Sequence, residues 1–370
     1  MFSYGKLPEN MKEIKIAIIH DALLENGGSE QVLSALCEAF PKADLFTSLV
    51  RENSLIYQKY KKRLKSYLLF PFPSKVASWC KPFVILYWWS LNLSAYHLIL
   101  SSSHSYSAKS VRIPQKAKHI CYCHTPPRYL YSQETEYDLS HLWQIVIRPF
   151  VCLMRVQDYL AAQRVDLFIA NSATVKKRIL KYYLRNAKII FPPVDIPKSS
   201  SKRPKTSNYY LYVGRLTKTK GLELIIKACI TTHRKLYIIG DGSYKQKLLN
   251  FASPQIEFLG YVSEKKKKKY IKGAKAILFA SLNEDFGIVP VEAIGLGTPV
   301  IAYRASGVAE TIKHGRTGLF FEEYSNDAMV RTIHQFEKLH FRSDYLHQEA
   351  LKYSKVSFIK KIKAVVNKIG

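Results

Sequence analysis

The chain has 370 residues, of which 57 are Lys or Arg and 28 are Asp or Glu, so its formal net charge is +29. Its length and its 47% hydrophobic content suggest two domains of ordinary size, and its longest unbroken apolar run, Phe83 to Trp89, falls far short of the roughly 20 residues that a membrane-spanning helix needs. The positive charge leaves nucleic acid, an anionic membrane surface and anionic small substrates open as partners.

The cysteines indicate a reduced, cytosolic protein. Only Cys121 and Cys123 are close in sequence, and a one-residue gap without a second pair is a poor zinc pattern. These two residues also occupy alternate positions of a predicted strand. Residues 1–10 lack the apolar core of a signal peptide. We therefore expect all six cysteines to be reduced thiols in the core.

The first half of the chain opens as a doubly wound α/β domain. The apolar run Ile14 to Asp21 predicts a buried strand, Gly27 and Gly28 follow it, and Val32 to Phe40 has helical periodicity. The two glycines suit close approach of a ligand to the backbone, but a tight turn would need them equally. Further strands are predicted at Asp44 to Leu49, Leu98 to Ser101, His119 to Tyr122 and Leu167 to Ala170.

An aromatic and cationic region lies between these strands. Lys59 to Lys65 is basic, Tyr67 to Phe72 is apolar and aromatic, and Trp79 and the segment Lys81 to Trp89 follow. Cations beside aromatic side chains favour a bilayer interface, which predicts salt-sensitive binding to anionic vesicles. The alternative is that Phe83 to Trp89 forms a buried helix.

A second α/β set follows a Ser, Lys and Pro-rich linker at Lys198 to Ser207. Its strands are predicted at Tyr209 to Val213, Leu236 to Ile239, Ile256 to Leu259, Ala276 to Ala280 and Pro299 to Tyr303. The lysine run Lys265 to Lys269 begins a predicted helix. We interpret this run mainly as a solvated helix face, with contact to a phosphate or a membrane as the alternative.

The block Glu284 to Glu292 is the most informative part of the sequence. It follows a buried strand, and Gly287 and Pro290 mark a loop and the first turn of a helix. The amides of Gly287, Ile288 and Val289 would lie at the positive end of that helix, which favours an anion. Glu284 and Glu292 could accept hydrogen bonds from hydroxyl groups. A nucleotide sugar would fit this combination of an anion site and hydroxyl-binding carboxylates. The alternative is a plain strand–helix junction with two surface acids.

Five motifs in this order resemble the retaining glycosyltransferases of family 4, over nearly the whole chain. They are Gly27 to Gln31, Val213 to Arg215 with Lys220-Gly221, Ile239 to Gly242, Glu284 to Glu292, and Gly307 to Thr311. The resemblance implies the α/β GT-B fold, with two Rossmann-like doubly wound domains facing a central cleft. It assigns residues 1–197 to acceptor binding and residues 198–352 to nucleotide-sugar binding. Residues 353–370 are expected to form a helix that packs back on the N-terminal domain.

A narrower set of motifs resembles the O-antigen type mannosyltransferases. These motifs are Ser101 to Ser105, Cys121 to Tyr129, Ala170 to Ser172, Tyr182-Tyr183 and Phe191 to Asp195. The resemblance implies GDP-mannose as donor and a polyprenyl-diphosphate-linked glycan as acceptor, in synthesis of cell-surface polysaccharide or lipopolysaccharide O-antigen. It also implies a cytoplasmic protein that is peripheral on the inner face of the cytoplasmic membrane.

The resemblance assigns the donor site to the second domain. Arg215 and Lys220 would bind the diphosphate, as paired cations do in phosphate chemistry generally, although both could be surface charges in a basic chain. Glu292 would bind the ribose and Glu284 the transferred sugar. Backbone amides would come from Gly28 of the first domain and from Phe286, Gly287, Ile288 and Val289.

The first domain supplies the remaining candidates. His124 follows a predicted strand and would position the reacting sugar, unless it only caps a turn. His104 occupies a similar place after the preceding strand, and Arg128 is a candidate for a donor or acceptor phosphate. Asn171 and Ser172 could simply cap the helix that begins near Val175.

The expected reaction needs neither a metal nor a cofactor. The chain has no Asp-x-Asp pair, so basic side chains and helix amides would stabilise the departing diphosphate. The acceptor hydroxyl would attack from the face that the diphosphate leaves, without a protein nucleophile, and the configuration would be retained. Use of a UDP-sugar, and a sugar-nucleotide isomerase or phosphorylase of the same fold, are the alternatives. A nucleic-acid binder is disfavoured because no such signature is present.

Overall fold

The computed structural model describes residues 14–24, 27–72, 80–105, 107–131, 141–198, 208–251 and 253–369. The chain divides into two compact units, the first formed by Met1–Pro192 with Phe358–Gly370 and the second by Pro193–Ser357. The division falls five residues before the sequence-based boundary at residue 197. The predicted linker beyond Lys198, and Trp79, lie outside the described residues.

The first unit is built on a seven-stranded parallel sheet with the order β3-β2-β1-β4-β5-β6-β7. The five strands predicted for this half are confirmed, whereas β3 and β7 were not predicted. The strands are β1 (Ile16–Leu23), β2 (Asp44–Val50), β3 (Leu64–Leu69), β4 (Leu98–Ser103), β5 (Lys118–Cys123), β6 (Leu167–Ala170) and β7 (Ala187–Ile189). The helices are α1 (Gly28–Ala39), α2 (Leu55–Tyr60), α3 (Lys81–Ser90), α4 (Arg128–Tyr131), α5 (His141–Gln163) and α6 (Ala173–Tyr183).

The aromatic and cationic region is partly buried and partly exposed. Its segment Leu64–Leu69 forms the edge strand β3. In α3, Val84 and Trp88 are buried, whereas Phe83 and Leu86 are 70% and 59% exposed. The buried-helix alternative is therefore correct for one face of α3, and the other face remains open to solvent.

The second unit is built on a six-stranded parallel sheet with the order β10-β9-β8-β11-β12-β13. All five predicted strands are confirmed, and β13 was not predicted. The strands are β8 (Tyr209–Val213), β9 (Lys235–Ile239), β10 (Ile256–Gly260), β11 (Ile277–Phe279), β12 (Val300–Tyr303) and β13 (Gly318–Phe321). The helices are α7 (Leu222–Thr231), α8 (Lys245–Leu249), α9 (Glu264–Gly273), α10 (Ile288–Gly295), α11 (Asn326–Glu337) and α12 (Ser343–Ala350).

Strand β8 shows why these sequences form buried parallel strands. Its five residues are all buried, because helices cover both faces of the sheet. Tyr210 and Tyr212 pack into the core on one face, and Leu211 and Val213 pack into the core on the other. The period of two along a strand thus distributes an unbroken apolar run between two cores.

The last helix, α13 (Lys355–Val366), belongs largely to the first unit. Phe358, Ile362 and Val366, spaced four apart, are buried in the core that also contains Ile18 and Leu100. Across the described ranges, no helix is both long enough and apolar enough to cross a bilayer.

The strand order places the candidate residues. In each unit the order reverses beside the first strand, between β1 and β4 and between β8 and β11. In open parallel sheets, ligands bind outside the carboxyl ends of the strands at such a reversal. The loops after β1, β4, β8 and β11 are therefore the places to look for a site.

Candidate functional site

The loop after β8 carries Arg215, and backbone hydrogen bonds join it to the end of β9 and the loop that follows. The amide of Gly214 donates to the Ile239 carbonyl at 3.0 Å, and the amide of Leu216 donates to the Asp241 carbonyl at 2.9 Å. The Tyr212 hydroxyl donates to the Arg215 carbonyl at 2.9 Å. Arg215 is thus an exposed residue on a backbone that is held at three points.

Lys220 and Glu284 form a direct ion pair. The Lys220 Nζ lies 2.6 Å from the Glu284 Oε2, and the two side chains are 21% and 20% exposed. Lys220 follows β8 and Glu284 follows β11, so the pair joins the two loops that border the strand-order reversal. An anionic ligand that binds Lys220 would meet the carboxylate at the same place.

The Tyr212 hydroxyl connects Arg215 electrostatically with this pair. Burial raises the pKa of Tyr212, the Glu284 carboxylate raises it further, and the Arg215 guanidinium lowers it. Both charged side chains therefore act on one hydroxyl at the carboxyl end of β8.

Helix α10 begins directly after the Glu284 loop. Gly287 precedes it with φ of 86°, a left-handed conformation that favours glycine because it has no Cβ. The first amides of a helix have no acceptor inside the helix and lie at the positive end of its dipole. Ile288 and Val289 occupy these positions, so this end of α10 has the electrostatic character that anions prefer.

Two contacts fix the loop between β11 and α10. The Phe286 ring is buried and packs edge-to-face on Tyr353, with 5.5 Å between ring centroids. The Gly307 amide donates to the Glu284 carbonyl at 2.9 Å, and a Cβ on Gly307 would lie only 2.0 Å from the Asp285 carbonyl oxygen. A glycine is therefore required for the close approach of these two loops.

Glu292 lies one turn into α10 and is 6% exposed. Its Oε1 is 3.1 Å from the Nζ of Lys267, which is also 2.8 Å from the Glu264 Oε2. Burial raises the pKa of Glu292, and Lys267 opposes that rise. The interpretation of the lysine run as a solvated face is wrong for Lys267, because its ammonium group turns inward to Glu292.

In the first unit, His20, Ser102 and His124 form a hydrogen-bonded chain across three neighbouring strands. The Ser102 Oγ lies 3.0 Å from the His20 Nδ1 and 2.8 Å from the His124 Nε2. Burial, and then the nearby His104, lower the pKa of His20 to about 3 and that of His124 well below its usual range. Both rings are therefore neutral at neutral pH.

Asp21 orients His104, a role that the sequence pattern did not predict. The His104 Nδ1 lies 2.6 Å from the Asp21 Oδ2, which also accepts from the His104 amide at 2.7 Å. The Ala108 amide donates to the other carboxylate oxygen at 2.6 Å. If a neutral His104 donates from Nδ1, its Nε2 carries the lone pair. The His104 and His124 ring centroids are 5.7 Å apart, so the two predicted histidines are neighbours.

Gly28 is the first residue of α1, and a buried carboxylate holds the turn before it. The Glu30 Oε2 accepts from the Gly27 amide at 3.0 Å and from the Ser29 hydroxyl at 2.8 Å. Burial raises the pKa of Glu30. Glu30 therefore stabilises the loop that presents Gly28.

The remaining candidates lie after β5 and β6. Arg128 opens the short helix α4. Ser172 caps α6 by accepting from the Val175 amide at 3.1 Å, as the sequence suggested. Asn171 has another role, because its Nδ2 donates to the His124 carbonyl at 2.9 Å. Asn171 thus fixes the backbone that carries His124.

Both halves of the chain match described protein families. Residues 26–197 match Glycosyltransferase Family 4, and residues 195–353 match Glycosyl transferases group 1.

Curated relatives resemble parts of the chain. An uncharacterized glycosyltransferase of Methanocaldococcus jannaschii is 35% identical over 129 residues, which are 32% of this chain and 33% of that protein. An alpha-1,3/1,6-mannosyltransferase of Kluyveromyces lactis is 27% identical over 249 residues, which are 53% of this chain and 48% of that protein. The chain therefore spans between a third and a half of the length of these two relatives.

Solved structures resemble the chain over almost its whole length. The lipopolysaccharide outer core galactosyltransferase WaaB in its apo form has a TM-score of 0.69 at 19% identity, with 96% of this chain and 100% of that chain covered. The sucrose-phosphate synthase of Thermosynechococcus elongatus has a TM-score of 0.69 at 14% identity, covering 96% and 99%. At these identities the likeness shows the fold, two Rossmann-like domains of GT-B type. Each half of the chain thus belongs to a glycosyltransferase family, the first to family 4 and the second to group 1, on the GT-B fold.

Proposed function

We propose that the protein is a retaining hexosyltransferase that moves mannose from GDP-mannose onto a lipid-linked glycan. The observation that carries the proposal is the Lys220–Glu284 ion pair beside the amino end of α10, with Arg215 and the buried Glu292 in the same unit. A cation, a carboxylate and helix amides together match the phosphates and hydroxyls of a nucleoside-diphosphate sugar.

In the proposed donor complex, Lys220 and Arg215 bind the diphosphate, and the backbone amides from Phe286 to Val289 bind phosphate and sugar. Glu284 accepts hydrogen bonds from the hydroxyl groups of the transferred sugar. Glu292 accepts from the ribose hydroxyls, and its burial excludes water that would compete for them. Positive charge beside the departing diphosphate lowers the barrier by stabilising the charge that develops there.

The first unit supplies the proposed acceptor side. We assign His124 to the reacting sugar, the backbone amide of Gly28 to the donor, and His104 and Arg128 to the acceptor or a phosphate. The acceptor hydroxyl oxygen bonds to the anomeric carbon on the face from which the diphosphate leaves. The bond from that carbon to the diphosphate oxygen breaks, and the hydroxyl proton passes to a phosphate oxygen. This step needs no metal ion and no protein nucleophile.

The choice of mannose is supported by the motifs shared with O-antigen type mannosyltransferases and by the partial similarity to the Kluyveromyces lactis mannosyltransferase. The same resemblance supports a polyprenyl-diphosphate-linked acceptor and a role in cell-surface polysaccharide or lipopolysaccharide O-antigen synthesis. An acceptor of this kind resides in a membrane. We therefore include an anionic membrane surface, the inner face of the cytoplasmic membrane, among the proposed partners, in agreement with the net charge of +29.

A thermal-shift panel of nucleoside-diphosphate sugars tests the donor assignment, since a ligand that binds only the folded state raises the melting temperature. GDP-mannose should stabilise the protein most. Lys220→Ala and Glu292→Ala should abolish that shift, whereas the matched control Lys218→Ala, at an exposed position two residues from Lys220, should keep it. A larger shift with UDP-sugars would overturn the donor assignment.

Product analysis separates transfer from isomerisation. Incubation with GDP-mannose alone should give little product, whereas addition of a polyprenyl-diphosphate-linked glycan should release GDP. Conversion of the donor without an acceptor would identify an isomerase instead.

A further inference from the structure

The outer face of α5 is apolar over three turns. Phe150, Leu153, Val156 and Leu160 are 46%, 67%, 56% and 57% exposed. Their spacing of three and four residues places them on one side of the helix. Leucine and valine normally occupy the core-facing stripe of a helix, so a solvent-facing stripe of this kind marks an interaction surface.

The opposite side of α5 already faces the protein core. Met154, Asp158 and Ala161 are buried. The Asp158 carboxylate binds Lys109 and accepts from the hydroxyls of Tyr131 and Tyr183. The orientation of α5 is therefore fixed by its buried face, and the apolar outer face cannot rotate inward without breaking this network.

Helix α3 packs near α5 and carries further exposed apolar residues. Ile85 of α3 and Met154 of α5 belong to one small buried cluster, so the two helices flank a common seam. Phe83 and Leu86 are exposed on α3, and the Arg112 guanidinium lies 5.9 Å from the Trp89 ring centroid at the end of the same helix. We call the exposed residues Phe83, Leu86, Phe150, Leu153, Val156 and Leu160 the α3–α5 surface.

Among the described side chains of α5, the exposed charges have one sign. Arg148 and Arg155 are exposed on α5, whereas Asp158, the single acidic residue of that helix, is buried and paired with Lys109. An apolar helix face flanked by cations matches the boundary between lipid headgroups and acyl chains. A second copy of a chain with net charge +29 would be repelled electrostatically.

We infer that the α3–α5 surface docks the protein onto an anionic bilayer. Its apolar residues enter the interface, and Arg148 contacts lipid phosphates. Arg155, whose guanidinium donates to the Leu130 carbonyl, and Arg112, which lies over the Trp89 ring, add positive charge beside that contact. This inference deepens the membrane partner of the proposed function, but it requires neither GDP-mannose nor any particular acceptor.

Flotation of the full chain with vesicles tests the inference. The vesicles contain phosphatidylcholine alone, or phosphatidylcholine and phosphatidylglycerol in equal parts. The variant Leu153→Gln/Leu160→Gln changes only exposed side chains, and the matched control Leu184→Gln/Leu339→Gln changes two other exposed leucines. Wild type and control should float with the anionic vesicles, and the variant should lose at least about tenfold in partitioning, because it removes apolar area from the bilayer contact.

Two further measurements distinguish bilayer binding from donor binding and from self-association. The thermal shift with GDP-mannose should be the same in variant and wild type, so a failure of the donor assignment does not affect the flotation result. Analytical ultracentrifugation of the wild type reports self-association. Equal flotation of variant and wild type, or a wild-type dimer that the variant abolishes, would overturn the inference, and the dimer would assign the surface to a second copy.

Discussion

The Lys267 ammonium group lies between two carboxylates, 3.1 Å from the Glu292 Oε1 and 2.8 Å from the Glu264 Oε2. The side chains of Lys267 and Glu292 are 15% and 7% exposed, whereas that of Glu264 is 69% exposed. Solvent therefore screens the Lys267–Glu292 contact much less than the Lys267–Glu264 contact. Lys267 therefore holds the carboxylate proposed to bind the ribose in one position and favours its ionised form.

Replacing this lysine should weaken nucleotide binding. In Lys267→Met, burial still raises the pKa of Glu292, but the cation that opposes it most strongly is gone and the weaker effect of Lys268 remains, so the pKa should rise further. The affinity for GDP should fall by on the order of tenfold, as expected for the loss of a charge-assisted hydrogen bond. Because the carboxylate accepts from the ribose, GDP affinity in the variant should recover at a higher pH than in wild type. Titration calorimetry between pH 5.5 and 8 measures both effects.

The matched control for this prediction is Lys266→Met, one residue away and exposed. It removes the same charge from the same helix and should leave GDP affinity unchanged. Equal losses in both variants would show that the overall charge of α9, and not the contact with Glu292, controls binding.

The inward turn of Lys267 explains one limit of prediction from sequence. Five consecutive lysines have no hydropathy pattern of their own, so the run indicated a solvated face. The available signal was the spacing to Ile271 and Ala274, four and seven residues later, both buried; residues at these spacings share a helix face. Asp21 gave no such signal, because its contact with His104 joins residues 83 positions apart.

The strands illustrate the same limit. The buried strands were predictable because parallel strands covered on both faces produce unbroken apolar runs. Strand β3 contains exposed Leu68 and Leu69 beside Lys65, a composition that resembles a membrane segment as much as a sheet edge. Strand β7 has only three residues, two of them exposed. Its position depends on pairing with β6, which local sequence does not encode.

The close approach of Gly307 to the Asp285 carbonyl gives a second prediction. In Gly307→Ala the new Cβ would lie 2.0 Å from that oxygen, so the loop that carries Glu284 must move. We expect a loss of about 1–3 kcal/mol in the free energy of unfolding and a smaller thermal shift with the donor. Gly315→Ala is the control, because its Cβ would meet open space although φ is 75°. It should lower stability through backbone strain alone and keep the donor shift. Retention of the full donor shift in Gly307→Ala would contradict the prediction.

A third prediction concerns stability at acidic pH. His119 is fully buried beside Ser101, and burial lowers its pKa from 6.5 to about 3. Between these values the unfolded chain takes up a proton that the folded chain does not, so stability falls as the pH drops below 6.5. At pH 5 this one group should cost about 2 kcal/mol.

His119→Gln removes the titrating group and can keep a hydrogen bond to Ser101. Urea unfolding at pH 7.5 and pH 5 should therefore show a smaller loss of stability in this variant than in wild type. His334→Gln, at an exposed position of α11, should retain the wild-type pH dependence. An unchanged pH dependence in His119→Gln would mean that His119 is not kept neutral by burial.

A fourth prediction follows from the contact between Asp21 and His104. Asp21→Asn preserves the shape of the side chain but removes the charge that favours Nδ1–H on His104. If His104 contacts the acceptor through Nε2, the turnover number should fall by roughly 10-fold to 100-fold, comparable with the cost of losing a carboxylate that orients a metal-ligating histidine. The KM for GDP-mannose should change little, because the proposed diphosphate ligands belong to the other unit.

Asp166→Asn is a suitable control for this prediction. The Asp166 carboxylate also accepts from a backbone amide, that of His119 at 2.8 Å. It lies at the amino end of β6, however, whereas Asp21 and His104 lie at the carboxyl ends of their strands. The pH profile of the turnover number separates positioning from stability, because Asp21→Asn should shift the profile while a merely destabilised protein would lose activity at every pH.

The double variant Asp21→Asn/His104→Asn should be no slower than His104→Asn alone, since Asp21 would act only through His104. Additive losses in the double variant would show that Asp21 supports the site by another route, such as its bond from the Ala108 amide.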